Sequence, residues 1–167
     1  AAARRAAVRE AAEEAGLRLD PAHLVWFAHW TPPAENPKRF RTHFFAVHLD
    51  ADDAAADVRV DGGEILDALW IDPATALARR DAGTLGLTPP TAITLAQLSE
   101  HRTAADAMAT WTAGQVEFYV TRFAKVDGGG VALYHGDAAY EGGDANAPGP
   151  RHRLWMLDDR WWYERTV

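Results

Sequence analysis

Arg9-Glu10-Ala11-Ala12-Glu13-Glu14-Ala15-Gly16-Leu17 is the stretch that decides how the rest of this chain is read. On an α-helix at about 100° per residue, Glu10, Glu13 and Glu14 fall within roughly a third of a turn. Val8, Ala11, Ala12 and Ala15 cluster on nearly the opposite face. One face is therefore small and apolar, able to pack closely on a sheet, while the other presents three carboxylates. Hard oxygen ligands converging on one spot suit Mg²⁺ or Mn²⁺ better than zinc. Arg9 lies one turn before Glu13, so its guanidinium can hold that carboxylate in place. Gly16 stands where a left-handed residue would stop the helix. A solvated surface helix rich in Ala, Glu and Arg is the plain alternative. Fixed identities at this spacing, ending in Gly16-Leu17, are much harder to obtain that way.

Composition bounds the rest. A length of 167 residues suits one domain, and 48% hydrophobic content with seven Trp supplies material for a core. No apolar run reaches the roughly 18 residues a membrane span needs, and no signal peptide is visible, so a cytoplasmic protein without membrane partners is expected. The absence of cysteine excludes disulfides, thiolate metal sites and cysteine nucleophiles. Lys38 and Lys125 are the only lysines, and with abundant Ala, Asp and Gly this reads as a GC-rich bacterial coding sequence. The net charge of -7 argues against nucleic-acid binding, which needs a basic surface to displace counterions. A phosphate-bearing substrate stays compatible, because bound metal can reverse the local sign. Ser99 is the only serine and has no G-x-S-x-G around it, which excludes serine hydrolase chemistry. The histidines show no zinc-like spacing, and Gly128-Gly129-Gly130 lacks the Gly-Lys-Ser/Thr of a phosphate-binding loop. Trp26, Trp70, Trp155, Trp161 and Trp162 are expected as core or interface aromatics.

Along the chain, the opening helix is expected to end at Gly16. Leu24 to Trp30 and Phe40 to Leu49 read as strands, separated by a loop fixed by Pro32, Pro33 and Pro37. Residues 51–57 read as an acidic surface connection, and Ile65 to Ile71 as a short strand. Pro73 can open a helix from Asp72 as its cap. A further helix is expected from Thr88-Pro89-Pro90 to about His101, with Ile93, Leu95 and Leu98 as a partial stripe, and a short one from Thr103 to Ala113. Beyond Gln115 the character turns to strands, at Val116 to Val126, Val131 to Tyr134, Arg151 to Leu157 and Arg160 to Thr166. Gly128 to Gly130 reads as a turn, Gly136 to Pro150 as a loop and Asp158-Asp159 as a hairpin turn. The expected division is residues 1–113 and a β-rich extension, 114–167.

The run from Arg9 resembles the second half of the Nudix box, G-x5-E-x7-R-E-U-x-E-E-x-G-U with U a bulky aliphatic. Arg9, Glu10, Glu13, Glu14, Gly16 and Leu17 match it, and Ala11 stands where a larger aliphatic is usual. The first half does not match: its Glu falls on Ala1 and its Gly would precede the chain. The chain, which has no initiator Met, is accordingly read as part of a longer protein whose amino-terminal portion is absent. Trp30-Thr31-Pro32-Pro33 followed by Arg39-Phe40-Arg41-Thr42-His43-Phe44-Phe45 is similar to the branch related to peroxisomal coenzyme A diphosphatases, where W-x-T-P precedes R-[FY]-D-T-x-F-F. Pro32 replaces the Thr and Arg41 the Asp, so a role that needs that Asp does not carry over to this chain. Leu87-Thr88-Pro89-Pro90-Thr91 resembles the same branch, and the resemblance runs from Ala6 to Leu98.

The resemblance implies an α/β (α+β) fold, the Nudix α/β/α sandwich with a mixed sheet, here without its amino-terminal strands and with residues 1–17 as the box helix. It implies Mg²⁺ or Mn²⁺ held by Glu10, Glu13 and Glu14, with Arg9 in support. Glu10 or Glu64 would be the base for the attacking water, Glu64 lying in the turn Asp61-Gly62-Gly63-Glu64; Asp61 and Asp67 are lesser candidates. Arg39 would contact substrate phosphate through its planar fork, with Phe40 beside it; the plain reading of this pair is an ordinary strand start. The implied partner is a small nucleoside diphosphate derivative, first coenzyme A or acyl-coenzyme A, then ADP-ribose or NADH. A catalytically silent Nudix binding module is the reading from another class. A chain lacking the first strands would be completed by more of its own sequence or by another chain, as in a homodimer.

Overall fold

The computed structural model describes residues 2–37, 40–49, 68–158 and 160–167. Its elements are α1 (Ala2–Ala15), β1 (Val25–Thr31), β2 (Thr42–Ala46), α2 (Pro73–Asp81), α3 (Pro89–Ser99), α4 (Ala104–Ala113), β3 (Glu117–Val120), β4 (Arg122–Val126), β5 (Gly129–Leu133), β6 (His152–Leu157) and β7 (Trp161–Arg165). They form a three-stranded sheet in the order β2-β1-β3 and a four-stranded sheet in the order β4-β5-β6-β7. The mixed α+β class expected from the sequence is what the structure shows, with the carboxy-terminal part rich in strands.

Two compact units interleave along the chain. The first comprises Ala1–Ala28, His43–Ile71 and Thr103–Val116, and the second His29–Thr42, Asp72–Arg102 and Glu117–Val167. Within the first, Phe27 stacks on Trp111 of α4 (4.1 Å, 10°) and meets Phe44 of β2 edge-on (6.3 Å). Thr103 caps α4 by accepting the Asp106 N–H (3.1 Å), satisfying a donor the helix leaves open.

In the second unit α2 starts where the sequence predicts it. The Asp72 carboxylate accepts the Thr75 N–H (3.0 Å), and Pro73 needs no donor at the first helical position. Arg80 at the end of α2 lies over the Trp161 ring (3.9 Å). The four-stranded sheet is antiparallel throughout, and its register places Ala124, Val131, Trp155 and Trp162 in one row. The neighbouring row, Phe123, Ala132, Leu154 and Tyr163, faces the opposite side. Val131 and Leu133 pack with Ala139, Tyr140 and Ala145 of the loop that follows β5. Burying a side chain of this size contributes about 1.5–3 kcal/mol.

Several expectations are corrected. The run Val116 to Val126 is two strands in different sheets, because the Thr121 N–H is taken by the Thr31 carbonyl (3.0 Å). Strand structure between Phe40 and Leu49 is confined to Thr42–Ala46, and Phe40 is 73% exposed. Of Gly128 to Gly130, only Gly128 stays outside a strand. Gly129 lies within 2.2 Å of the Met156 carbonyl oxygen, measured from where a Cβ would stand, so no side chain fits there. Trp70, expected in the core or at an interface, is exposed, which excludes the core. Residues 68–71 have no regular structure; the rest of the strand expected at Ile65 to Ile71, and residues 51–57, lie outside the described residues.

Candidate functional site

Helix α1 carries the carboxylates. It closes where expected: Gly16 takes φ +69°, and the Leu17 N–H returns to the Ala11 carbonyl (3.0 Å). Arg4, earlier on the helix, donates to the Pro21 carbonyl (3.3 Å) and stands over the Phe45 ring (5.9 Å). Val8, Ala11 and Ala15 are half-buried, Ala12 is exposed, and no residue of α1 is fully buried. The small apolar face is thus covered only in part.

Glu10 and Glu13 are exposed and Glu14 is half-buried. Arg9 approaches both of the first two, Nη2 to Glu10 Oε1 at 3.6 Å and Nε to Glu13 Oε2 at 3.6 Å. The structure therefore brings Arg9 together with Glu13, as the spacing predicts. In this arrangement no three His, Cys, Asp or Glu side chains among the described residues gather closely enough to hold a metal ion. The donor set is nonetheless chemically suited to Mg²⁺ or Mn²⁺, since all three are hard carboxylate oxygens on one helix. Glu64, Asp61, Asp67 and Arg39 lie outside the described residues.

A second group of titratable side chains, unanticipated from the sequence, lies in the other unit. Tyr119 donates a short hydrogen bond to Glu117, Arg165 pairs with Glu117, and Gln97 of α3 donates to the Tyr119 hydroxyl (3.1 Å). Burial pushes Glu117 up, but the Tyr119 hydroxyl and the Arg165 guanidinium more than offset it and hold the carboxyl below its ordinary range. His152 packs among Tyr119, Tyr134 and Tyr163 with ring centroids 5.3–5.9 Å away. Its Nδ1 lies 2.9 Å from the His135 carbonyl, so that nitrogen carries the proton and donates. Burial is the largest influence on His152 and lowers its pKa, assisted by Arg165 and opposed by the His135 carbonyl, Glu117 and Asp137. Burial likewise raises Tyr163 to about 12. An ionised, half-buried Glu, a neutral buried His and protonated tyrosines packed together hold elements in place. Their partners come from α3, β3, β6 and β7, too far apart in sequence to leave a local signal.

Compared with protein families, the chain matches the NUDIX domain model over residues 2–89, just over half its length. No curated protein and no solved structure gives a match.

Proposed function

The chain belongs to the Nudix family, whose domain marks pyrophosphohydrolases of nucleoside diphosphate derivatives, and from that premise we propose that it hydrolyses coenzyme A or an acyl-coenzyme A. The observation that supports this most is the placement of Arg9, Glu10, Glu13 and Glu14 on one helix, with Arg9 against Glu13 at 3.6 Å. Nudix enzymes generally use Mg²⁺ or Mn²⁺; bound by Glu10, Glu13 and Glu14, it would neutralise pyrophosphate charge and act as a Lewis acid.

The chain's own residues do the rest. Arg9 keeps the Glu13 carboxylate oriented. Glu10 or Glu64 accepts a proton from the water whose oxygen attacks phosphorus. The bridging P–O bond breaks on the far side, and the leaving phosphate departs with the electron pair. For coenzyme A the products are phosphopantetheine and adenosine 3′,5′-bisphosphate. Arg39, with Phe40 beside it, contributes phosphate contact, and the division between a pyrophosphohydrolase portion ending at residue 113 and a β-rich extension belongs to the same proposal.

A screen of the purified protein with Mg²⁺ against coenzyme A, acetyl-coenzyme A, ADP-ribose and NADH, with products identified by mass, tests the substrate class. Release of adenosine 3′,5′-bisphosphate supports the proposal. Turnover confined to ADP-ribose or NADH replaces the substrate. A folded protein that binds Mg²⁺ and turns over none of the four favours a binding module.

A further inference from the structure

In the second unit a cleft of about 520 Å³ is bounded by Val120 to Phe123 on one side and Tyr140 to Gly143 on another, with Ala34 and Glu35, a second carboxylate besides Glu141, also lining it. The second wall belongs to the stretch between β5 and β6, residues 134–151, which contains neither helix nor strand. Loops of this length in a compact domain are uncommon unless they have a function. This one is held firmly. Arg153, fully buried, binds Asp137 and donates from Nη1 to the Ala145 carbonyl (2.7 Å), and the Tyr140 hydroxyl donates to the Val120 carbonyl (3.1 Å). A buried ion pair stabilises little beyond what apolar residues of equal volume would, so its main effect here is to set one loop conformation.

Arg122 is the group that this fixed wall steadies. Its guanidinium lies over the Tyr140 ring at 4.5 Å. All of its polar contacts among the described residues run through Nη1: the Glu141 carboxylate at 2.9 Å and the carbonyls of Tyr140 (3.1 Å) and Glu141 (3.4 Å). That leaves Nε and Nη2, the edge of the guanidinium whose two parallel N–H groups match two oxygens of one oxyanion. Stacking and the carbonyl contacts already restrict the side chain, so less freedom is lost when a ligand engages it. The Glu141 side chain is 78% exposed, and an ion pair that open to water is weak. Val120 and Phe123, both exposed, add apolar surface for an organic body, and a Cβ at Gly142 or Gly143 would meet nothing within 4 Å.

We propose that this cleft binds the phosphate group of a small phosphorylated molecule through Nε and Nη2 of Arg122. The choice of phosphate over carboxylate rests on the pyrophosphohydrolase reading, whose substrates and products carry phosphate. The test is an amide NMR titration of the purified protein at low ionic strength. Its probes are inorganic phosphate and adenosine 3′-monophosphate, with adenosine and acetate as controls. Both phosphates should shift Arg122, Gly142 and Gly143, and adenosine should not. Arg122→Lys, which keeps the charge and loses the fork, should weaken phosphate about tenfold. Glu141→Gln, at an exposed position, should tighten it by removing a neighbouring negative charge. Unchanged or weaker binding in Glu141→Gln, unchanged binding in Arg122→Lys, or acetate binding as well as phosphate overturns the proposal. Phosphate binding at Arg122 in a protein that hydrolyses no nucleotide would sink the pyrophosphohydrolase reading and leave this site standing.

Discussion

Asp137 and Arg153 meet through two hydrogen bonds, Arg153 Nη2 to Oδ1 at 2.5 Å and Nε to Oδ2 at 2.7 Å, with neither side chain reaching solvent. The same carboxylate accepts the N–H groups of Ala139 and His152, both at 2.8 Å. Burial pushes Asp137 up, and the guanidinium with these two N–H groups more than offsets it, so the carboxyl titrates below its ordinary range. Asp137→Asn leaves a buried guanidinium without its counter-charge and should cost about 3–5 kcal/mol in urea unfolding. The double variant Asp137→Leu, Arg153→Met should cost less than either single change. A double variant whose loss equals the sum of the two single losses would mean that Asp137 and Arg153 do not act as a pair.

Acid should destabilise the protein in two steps. His152 has a folded pKa below its ordinary 6.5, so the unfolded chain binds its proton more readily. Its contribution is complete above 6.5 and declines as pH falls below that value. Glu117 and Asp137, also lowered, contribute above their unfolded values of 4.5 and 3.8 and lose that contribution at lower pH. Urea midpoints between pH 7.5 and 3 should show both steps, and His152→Gln should remove the first while keeping the second. A first step of the same size in His152→Gln would assign it to another group.

Asp72→Ala should cost about 1 kcal/mol, because the start of α2 loses the acceptor for the Thr75 N–H. Asp72→Asn should recover most of it. Thermal unfolding of the three proteins decides the matter, and equal stability in all three would show that α2 does not depend on this cap.

Arg9→Gln separates positioning from stability. The Arg9 and Glu13 side chains are each 64% exposed, so their ion pair should contribute under about 1 kcal/mol to folding. If Arg9 orients Glu13 for catalysis, kcat should fall well out of proportion to the change in melting temperature. A pH–rate profile keeping its shape would fit a positioning role, whereas unchanged kcat would remove Arg9 from the account.

What could be read from the sequence was local. The stop of α1 at Gly16 and the cap at Asp72 follow from spacing and side-chain chemistry within a few residues. The break at Thr121 could not be read, because the strand-like mixture of apolar and polar residues from Val116 to Val126 contains no Gly or Pro to mark the change of sheet made at the Thr31 carbonyl. Asp137 and Arg153 lie across an irregular loop, and nothing in either neighbourhood marks them as partners. The box carboxylates were legible as identities. Whether they draw together around a cation depends on side-chain rotation, which spacing along one helix does not set.

The most direct test is the initial rate of pyrophosphate cleavage against Mg²⁺ concentration, for the wild type and for Glu13→Gln, Glu14→Gln, on the best substrate. The rate should rise with Mg²⁺ and saturate in the wild type, and fall by at least about a hundredfold in the variant while it remains folded. Equal rates in the two proteins, or cleavage indifferent to Mg²⁺, would contradict the proposed role of the box carboxylates.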